Sequence, residues 1–202
     1  AIFTIEDVMA DGLKPLMPTV EANPLDGEPF SFLPQPLLAD GVVRHVGEPV
    51  ALVICETVDQ ALDAAERVVV NYRPLSAVTT PVEALALGAP KITPEVPGNL
   101  YLDWRTGDQA AVEAALDRAE HLVDLTLDNH RIVTNPMEPR GVIGTWDEGA
   151  GRYVLHVSTQ NLHAIRDVTA QALGVDERAV RFVAPDVGGG FGTKNFAYVE
   201  YQ

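Results

Sequence analysis

Proline placement constrains this chain more than any other feature. Six of its fifteen prolines (Pro15, Pro18, Pro24, Pro29, Pro34 and Pro36) fall within residues 15–36, and Pro90, Pro94 and Pro97, with Gly88 and Gly98, mark a second break. Proline fixes φ and removes a backbone donor, so neither stretch suits a helix interior or a central strand. The first is expected as an extended surface loop and the second as a linker. That divides the 202 residues into a first domain over 1–89, a linker over 90–100 and a second domain over 101–202. With 47% hydrophobic residues, the chain has the apolar content of an ordinary globular protein and can bury a real core.

Periodicity fills the space between the breaks. Residues 48–55 read as a buried strand. Residues 57–67 read as a helix capped by Thr57, with Ala61, Leu62 and Ala65 on one face, and residues 68–72 as the next strand. In the second half, Asp108 caps an expected helix over 109–119, and the alternation of Leu122, Val123, Leu125 and Leu127 suggests a strand over 121–131. Residues 141–146 and 153–158 read as a hairpin around 147–151. Residues 161–173 form an amphipathic helix with Leu162, Ile165, Val168, Ala172 and Leu173 on one face and Gly174 beyond its end, and 180–184 read as a strand.

Charge narrows the function. A net charge of −15, spread over both halves, repels phosphate backbones and excludes non-specific nucleic-acid binding. The single cysteine, Cys55, allows no intrachain disulfide and is expected to be a buried thiol in the apolar run 50–55. No apolar run approaches the roughly 20 residues of a membrane helix, no secretory pattern opens the chain, and a reducing, cytoplasmic setting is expected. The chain opens without Met on Ala1 and closes on the apolar run 196–202, so it is expected to be a fragment of a longer polypeptide.

Three segments can carry chemistry. Gly188, Gly189 and Gly190 are consecutive, and Gly192 follows Phe191. Such a loop can present bare amides to an anion or an oxo group, aided by a helix dipole if a helix starts after Lys194; it can equally be a tight turn with no ligand. It is neither a Walker A loop nor a dinucleotide fingerprint, because Thr193 stands where each pattern needs something else. At the junction of a strand and a helix, Gln160 offers a neutral amide, although Thr159, Gln160 and Asn161 can also serve as ordinary capping. Between Pro136 and Pro139, Glu138 lies two residues from Arg140, readable as a rigid turn with a surface ion pair or as a cleft wall. The five histidines show no ligand spacing, and neither a directly coordinated metal nor a catalytic triad is assigned.

Taken together, 158–161, the following helix and the run 183–194 resemble the molybdopterin-binding large subunit of the xanthine dehydrogenase/aldehyde oxidase/carbon monoxide dehydrogenase family. Residues 135–140 resemble the segment just upstream in that family, and residues 47–51 through 72–75 resemble its α/β-hammerhead domain. The resemblance implies an α+β fold: part of a hammerhead-like unit, then the first part of a mixed α/β molybdopterin-binding domain.

It also implies a molybdopterin-type molybdenum cofactor held through its pterin, with Gln160, Gly189, Gly190, Phe191 and Gly192 as cofactor-binding positions. The implied reaction inserts water-derived oxygen into an aldehyde, an N-heterocycle or a carbon monoxide-like substrate. Its catalytic base is a glutamate further downstream, so no catalytic residue lies within this chain, which alone is expected to be inactive. The implied partners are the remainder of the large subunit and FAD-binding and iron–sulfur subunits, assembled as a dimer of heterotrimers. A non-catalytic assembly or binding module of the same fold is the alternative. Asn195 stands where purine-oxidising members carry a glutamate, and Thr193 where many members carry a second glycine, a trait reminiscent of the carbon monoxide dehydrogenase-like branch. Gly190→Val is expected to abolish cofactor retention by covering the amides and resisting a positive φ.

Overall fold

The computed structural model describes residues 1–18, 33–130 and 132–202. In chain order its elements are β1 (Ile2–Phe3), α1 (Ile5–Ala10), β2 (Leu52–Val53), α2 (Val58–Glu66), α3 (Pro81–Ala84), α4 (Gln109–Asp117), β3 (Val142–Asp147), β4 (Arg152–Val157), α5 (Leu162–Leu173) and β5 (Val180–Val183), with short 3-10 turns at Pro97–Asn99, Glu177–Ala179 and Val199–Tyr201. The described residues fall into two compact units, one of 1–18, 33–75 and 134–202, the other of 76–130 with 132–133.

The first unit is built on a three-stranded sheet in the order β3–β4–β5. β3 and β4 form an antiparallel hairpin from Val142 opposite Val157 to Asp147 opposite Arg152. Asp147 closes the turn by accepting from the Gly151 N–H at its carbonyl (2.7 Å) and from the Ala150 N–H at Oδ1 (3.0 Å). β5 runs parallel to β4, with Leu155 opposite Phe182, and a parallel pair needs a crossover, which α5 supplies. Asn161 caps α5 through Oδ1, and Gly174 ends it at φ 68°, a left-handed conformation that glycine adopts without strain. Of the expected apolar face Ile165, Val168 and Ala172 are buried; toward the sheet Ile165 packs with Val157, and Ala170 with Leu155. The opening segment joins this core, since Leu16 and Leu37 pack on Val168 and Ala172, and the Lys14 N–H donates to the Ala172 carbonyl at 2.8 Å.

Of the proline-rich loop expected over 15–36, residues 19–32 lie outside the described residues. On either side of them, Leu16 and Gln35 pair in an isolated antiparallel bridge. Other expectations in this region need correction. The strand expected over 48–55 shortens to β2, paired among the described residues with β1 alone, and Leu52 and Ile54 are exposed. Cys55 is exposed rather than buried, because an apolar run becomes core only where another layer covers it. Thr57 caps α2 as expected, accepting from the Gln60 N–H at 3.2 Å, but Leu62 on the helix is exposed. Residues 68–72 form no strand.

The second unit has little apolar core among its described residues. Val96 is buried at 0% exposure, and beside it Thr93 and Asn99 are buried polar residues. Asn99 Nδ2 donates to the carbonyls of Ala84 (2.8 Å) and Pro90 (3.0 Å), and its Oδ1 accepts from the Ile92 N–H (2.8 Å). Asp108 caps α4 through the Ala111 N–H, as expected. The strand expected over 121–131 is absent from the described residues there, and Leu122, Val123, Leu125 and Leu127 are exposed. Alternation alone does not supply a partner strand to complete a ladder.

Candidate cofactor-binding site

Parallel strands deliver their carboxyl ends to the same edge of a sheet, the usual place for a ligand group. At the end of β4 come Ser158, Thr159 and Gln160; after β5 comes the glycine loop. The two segments are tied by main chain. The Gln160 N–H donates to the Lys194 carbonyl (2.9 Å), as does Thr159 Oγ1 (2.8 Å). Gln160 Oε1 in turn accepts from the N–H groups of Gly192 (3.1 Å) and Lys194 (3.3 Å). The carboxamide oxygen is thereby committed to the loop, and Nε2 is left as a donor on an exposed side chain.

Within the loop the Gly189 N–H donates to the Val187 carbonyl, and Thr193 closes a turn by donating its N–H (2.9 Å) and Oγ1 (2.7 Å) to the Gly190 carbonyl. Among the described residues the N–H groups of Gly190 and Phe191 have no acceptor. The glycines are required for separate reasons. A Cβ on Gly190 would lie 2.9 Å from Gln160 Cγ and closer still to its amide head, so only glycine lets Gln160 cross the loop. A Cβ on Gly188 would lie 2.6 Å from Glu138 Cβ. Gly189 and Gly192 adopt φ of 91° and 86°. Gly190 does not have a positive φ, so the reason for its glycine is contact with Gln160 and not backbone strain; the positive φ next to it belongs to Phe191, at 51° with a side chain 74% exposed. No helix follows Lys194; the chain turns instead, and Tyr198 donates its hydroxyl to the Thr193 carbonyl.

The third segment joins the same site by a route that spacing did not reveal. Glu138 does not pair with Arg140. Its Oε2 accepts from Ser158 Oγ (2.5 Å), the Gly188 N–H (2.6 Å) and Lys194 Nζ (2.7 Å). Lys194 is fully buried, and its Nζ also donates to Ser158 Oγ at 2.7 Å. The lysine hydrogen bond, helped by Ser158 and Gly188, holds the Glu138 carboxyl at about 2. Arg140 instead lies 3.6 Å from the centre of the Tyr198 ring and 3.7 Å from Glu200. Buried Lys194 is the residue that sequence reading missed. A lysine placed just after a glycine loop reads as a charge for a ligand, and nothing in local spacing announces a carboxylate 56 positions away.

The donor set suits an oxygen-rich group. It comprises two unpartnered main-chain amides and a neutral carboxamide Nε2, gathered where glycine removes side-chain cover. Groups of this kind can donate hydrogen bonds to oxo or phosphate oxygens without adding charge.

Comparison with known proteins gives the family. Residues 92–202 match the family model for the molybdopterin cofactor-binding domain, and residues 1–76 match the a/b hammerhead domain of aldehyde oxidase and xanthine dehydrogenase. The chain belongs to the molybdopterin cofactor-binding domain family, and its α+β fold is the one shared by that family. Among its relatives is the nicotine 6-hydroxylase large subunit of Paenarthrobacter nicotinovorans, 37% identical over 82% of this chain and 20% of that protein. Another is the carbon monoxide dehydrogenase large chain of Hydrogenophaga pseudoflava, 32% identical over 100% of this chain and 25% of that one. In three dimensions the chain is similar to quinoline 2-oxidoreductase from Pseudomonas putida 86, with a TM-score of 0.83 at 30% identity over 99% of this chain and 24% of the other. The chain thus spans a fifth to a quarter of the length of these proteins.

Proposed function

We propose that this chain forms cofactor-binding surface in the large subunit of a molybdenum hydroxylase, an oxidoreductase that inserts water-derived oxygen into its substrate. The observation that carries this reading is the meeting of Gln160 with the loop 188–194 at the ends of two parallel strands, with amides at Gly190 and Phe191 left free. When bound, the molybdenum–pterin group supplies the redox centre at which the substrate is oxidised. This chain's part is to bind and orient it. Gln160 Nε2 and the N–H groups of Gly190 and Phe191 would donate to its oxygens, while Gly189 and Gly192 allow the turns that bring main chain close. Under this reading the catalytic base comes from outside residues 1–202, and none of these residues carries a catalytic role.

The substrate class is an N-heterocycle, an aldehyde or a carbon monoxide-like molecule. Relatives named for nicotine, quinoline and carbon monoxide support that range, and Asn195 speaks against a purine. Electrons leave through FAD-binding and iron–sulfur subunits, in a dimer of heterotrimers in the cytoplasm. Two domains, placed at 1–89 and 101–202 about a linker at 90–100, are supported in number by two family matches, one ending at 76 and the next beginning at 92.

The test is metal and pterin analysis of the full-length subunit, expressed with its partner subunits in a molybdenum-competent host. Near-stoichiometric molybdenum and pterin are expected. A folded complex carrying neither overturns the reading.

A further inference from the structure

We propose that Glu138, Lys194 and Ser158 form a buckle that positions the glycine loop, so that they act on cofactor binding without touching the cofactor. One carboxylate oxygen, Glu138 Oε2, is the common acceptor for groups at both ends of the loop: the Gly188 N–H at its start and Lys194 Nζ at its finish. Ser158, at the end of β4, donates to the same oxygen and accepts from the same ammonium, so the buckle is riveted to the sheet. The Glu138 N–H adds a bond to the Gly188 carbonyl at 3.3 Å.

Lys194 transmits this anchorage. Its side chain is held in the buckle, while its own N–H and carbonyl hold the Oε1 and N–H of Gln160. Displacing the ammonium therefore displaces the backbone that orients Gln160. Ion pairing of a fully buried lysine is a poor way to gain stability, since its desolvation cost rivals its Coulomb gain and an apolar replacement of both partners is often neutral. What the pair does supply is a single register for the loop. The close approach of Gly188 to Glu138 Cβ, which leaves no room for a side chain, has the same consequence.

This inference rests on the cofactor-binding reading above, and the two can fail separately. In the full-length holoenzyme, the variants Glu138→Gln, Lys194→Met and their combination are compared with Ile165→Ala, a core control on α5. The readouts are the half-life of bound molybdenum during dialysis, the melting temperature, and the electron paramagnetic resonance signal of the residual reduced centre. Expected is a fall in half-life of about tenfold or more in each buckle variant, no further loss in the combination, and an altered signal. The core control should lower the melting temperature and leave both the signal and retention well below melting unchanged. A folded double variant that retains molybdenum as the parent does, with the same signal, overturns the buckle. A parent protein without molybdenum overturns the cofactor reading itself. Should the double variant fail to fold, Ser158→Ala decides: a loss of about threefold in half-life supports the buckle, and none refutes it.

Discussion

The two units are held together by different means. In the first, α5 packs Ile165 with Val157 and Ala170 with Leu155 of the sheet, and Val168 and Ala172 with Leu16 and Leu37 of the opening segment, and stability comes from apolar surface removed from water. In the second, much of the local order passes through one side chain, Asn99, whose three hydrogen bonds tie the end of α3 to residues 90–92. Its backbone lies at φ 57°, a conformation asparagine tolerates better than most residues. The lesson is that apolar-rich sequence can fold around a hydrophobic interface or around a polar knot, and mutations should tell them apart.

The largest effect is expected in the first unit. Ile165→Ala, at 1% exposure, should cost about 2–5 kcal/mol by lost transfer energy and a cavity, measured by denaturant unfolding. Gly188→Ala should cost about 1–3 kcal/mol, because the new methyl meets a Cβ that cannot swing away; Gly192→Ala, whose added Cβ meets open space, should show only the strain of φ 86°.

In the second unit, Asn99→Ala should cost about 1–3 kcal/mol by leaving buried main-chain groups unpaired. Asn99→Gly should lose as much despite keeping the backbone conformation, and recovery by glycine would show that φ rather than hydrogen bonding is what matters there. The smallest effect is a pH dependence. Glu138 ionises at about 2 in the fold against an ordinary 4.5, so its contribution is complete above 4.5 and fades as pH falls toward 2. Glu138→Gln should flatten that part of the acid-unfolding curve, and an unchanged acid limb would place the linkage on other groups.

How much could be read in advance follows the same division. The hairpin, α5 with Asn161 and Gly174 at its ends, and β5 were legible because periodicity, caps and turn residues agree over that stretch. Residues 121–130 have strand-like alternation but no paired strand among the described residues, and Cys55 sits in an apolar run yet is exposed, so local pattern misled where the deciding term was the neighbour. At the site, the glycines and Gln160 stood out as residue types. Their reasons did not: Gly190 is glycine because of Gln160, and Glu138 answers to Lys194 across the fold rather than to nearby Arg140.

The most direct measurement is a crystal or cryo-electron microscopy structure of the full-length holoenzyme. Gln160 Nε2 and the N–H of Gly190 or Phe191 should lie at hydrogen-bonding distance, about 2.7–3.2 Å, from oxygens of the molybdenum–pterin group. A cofactor bound elsewhere, with the loop 188–192 turned away from it, would contradict the assignment.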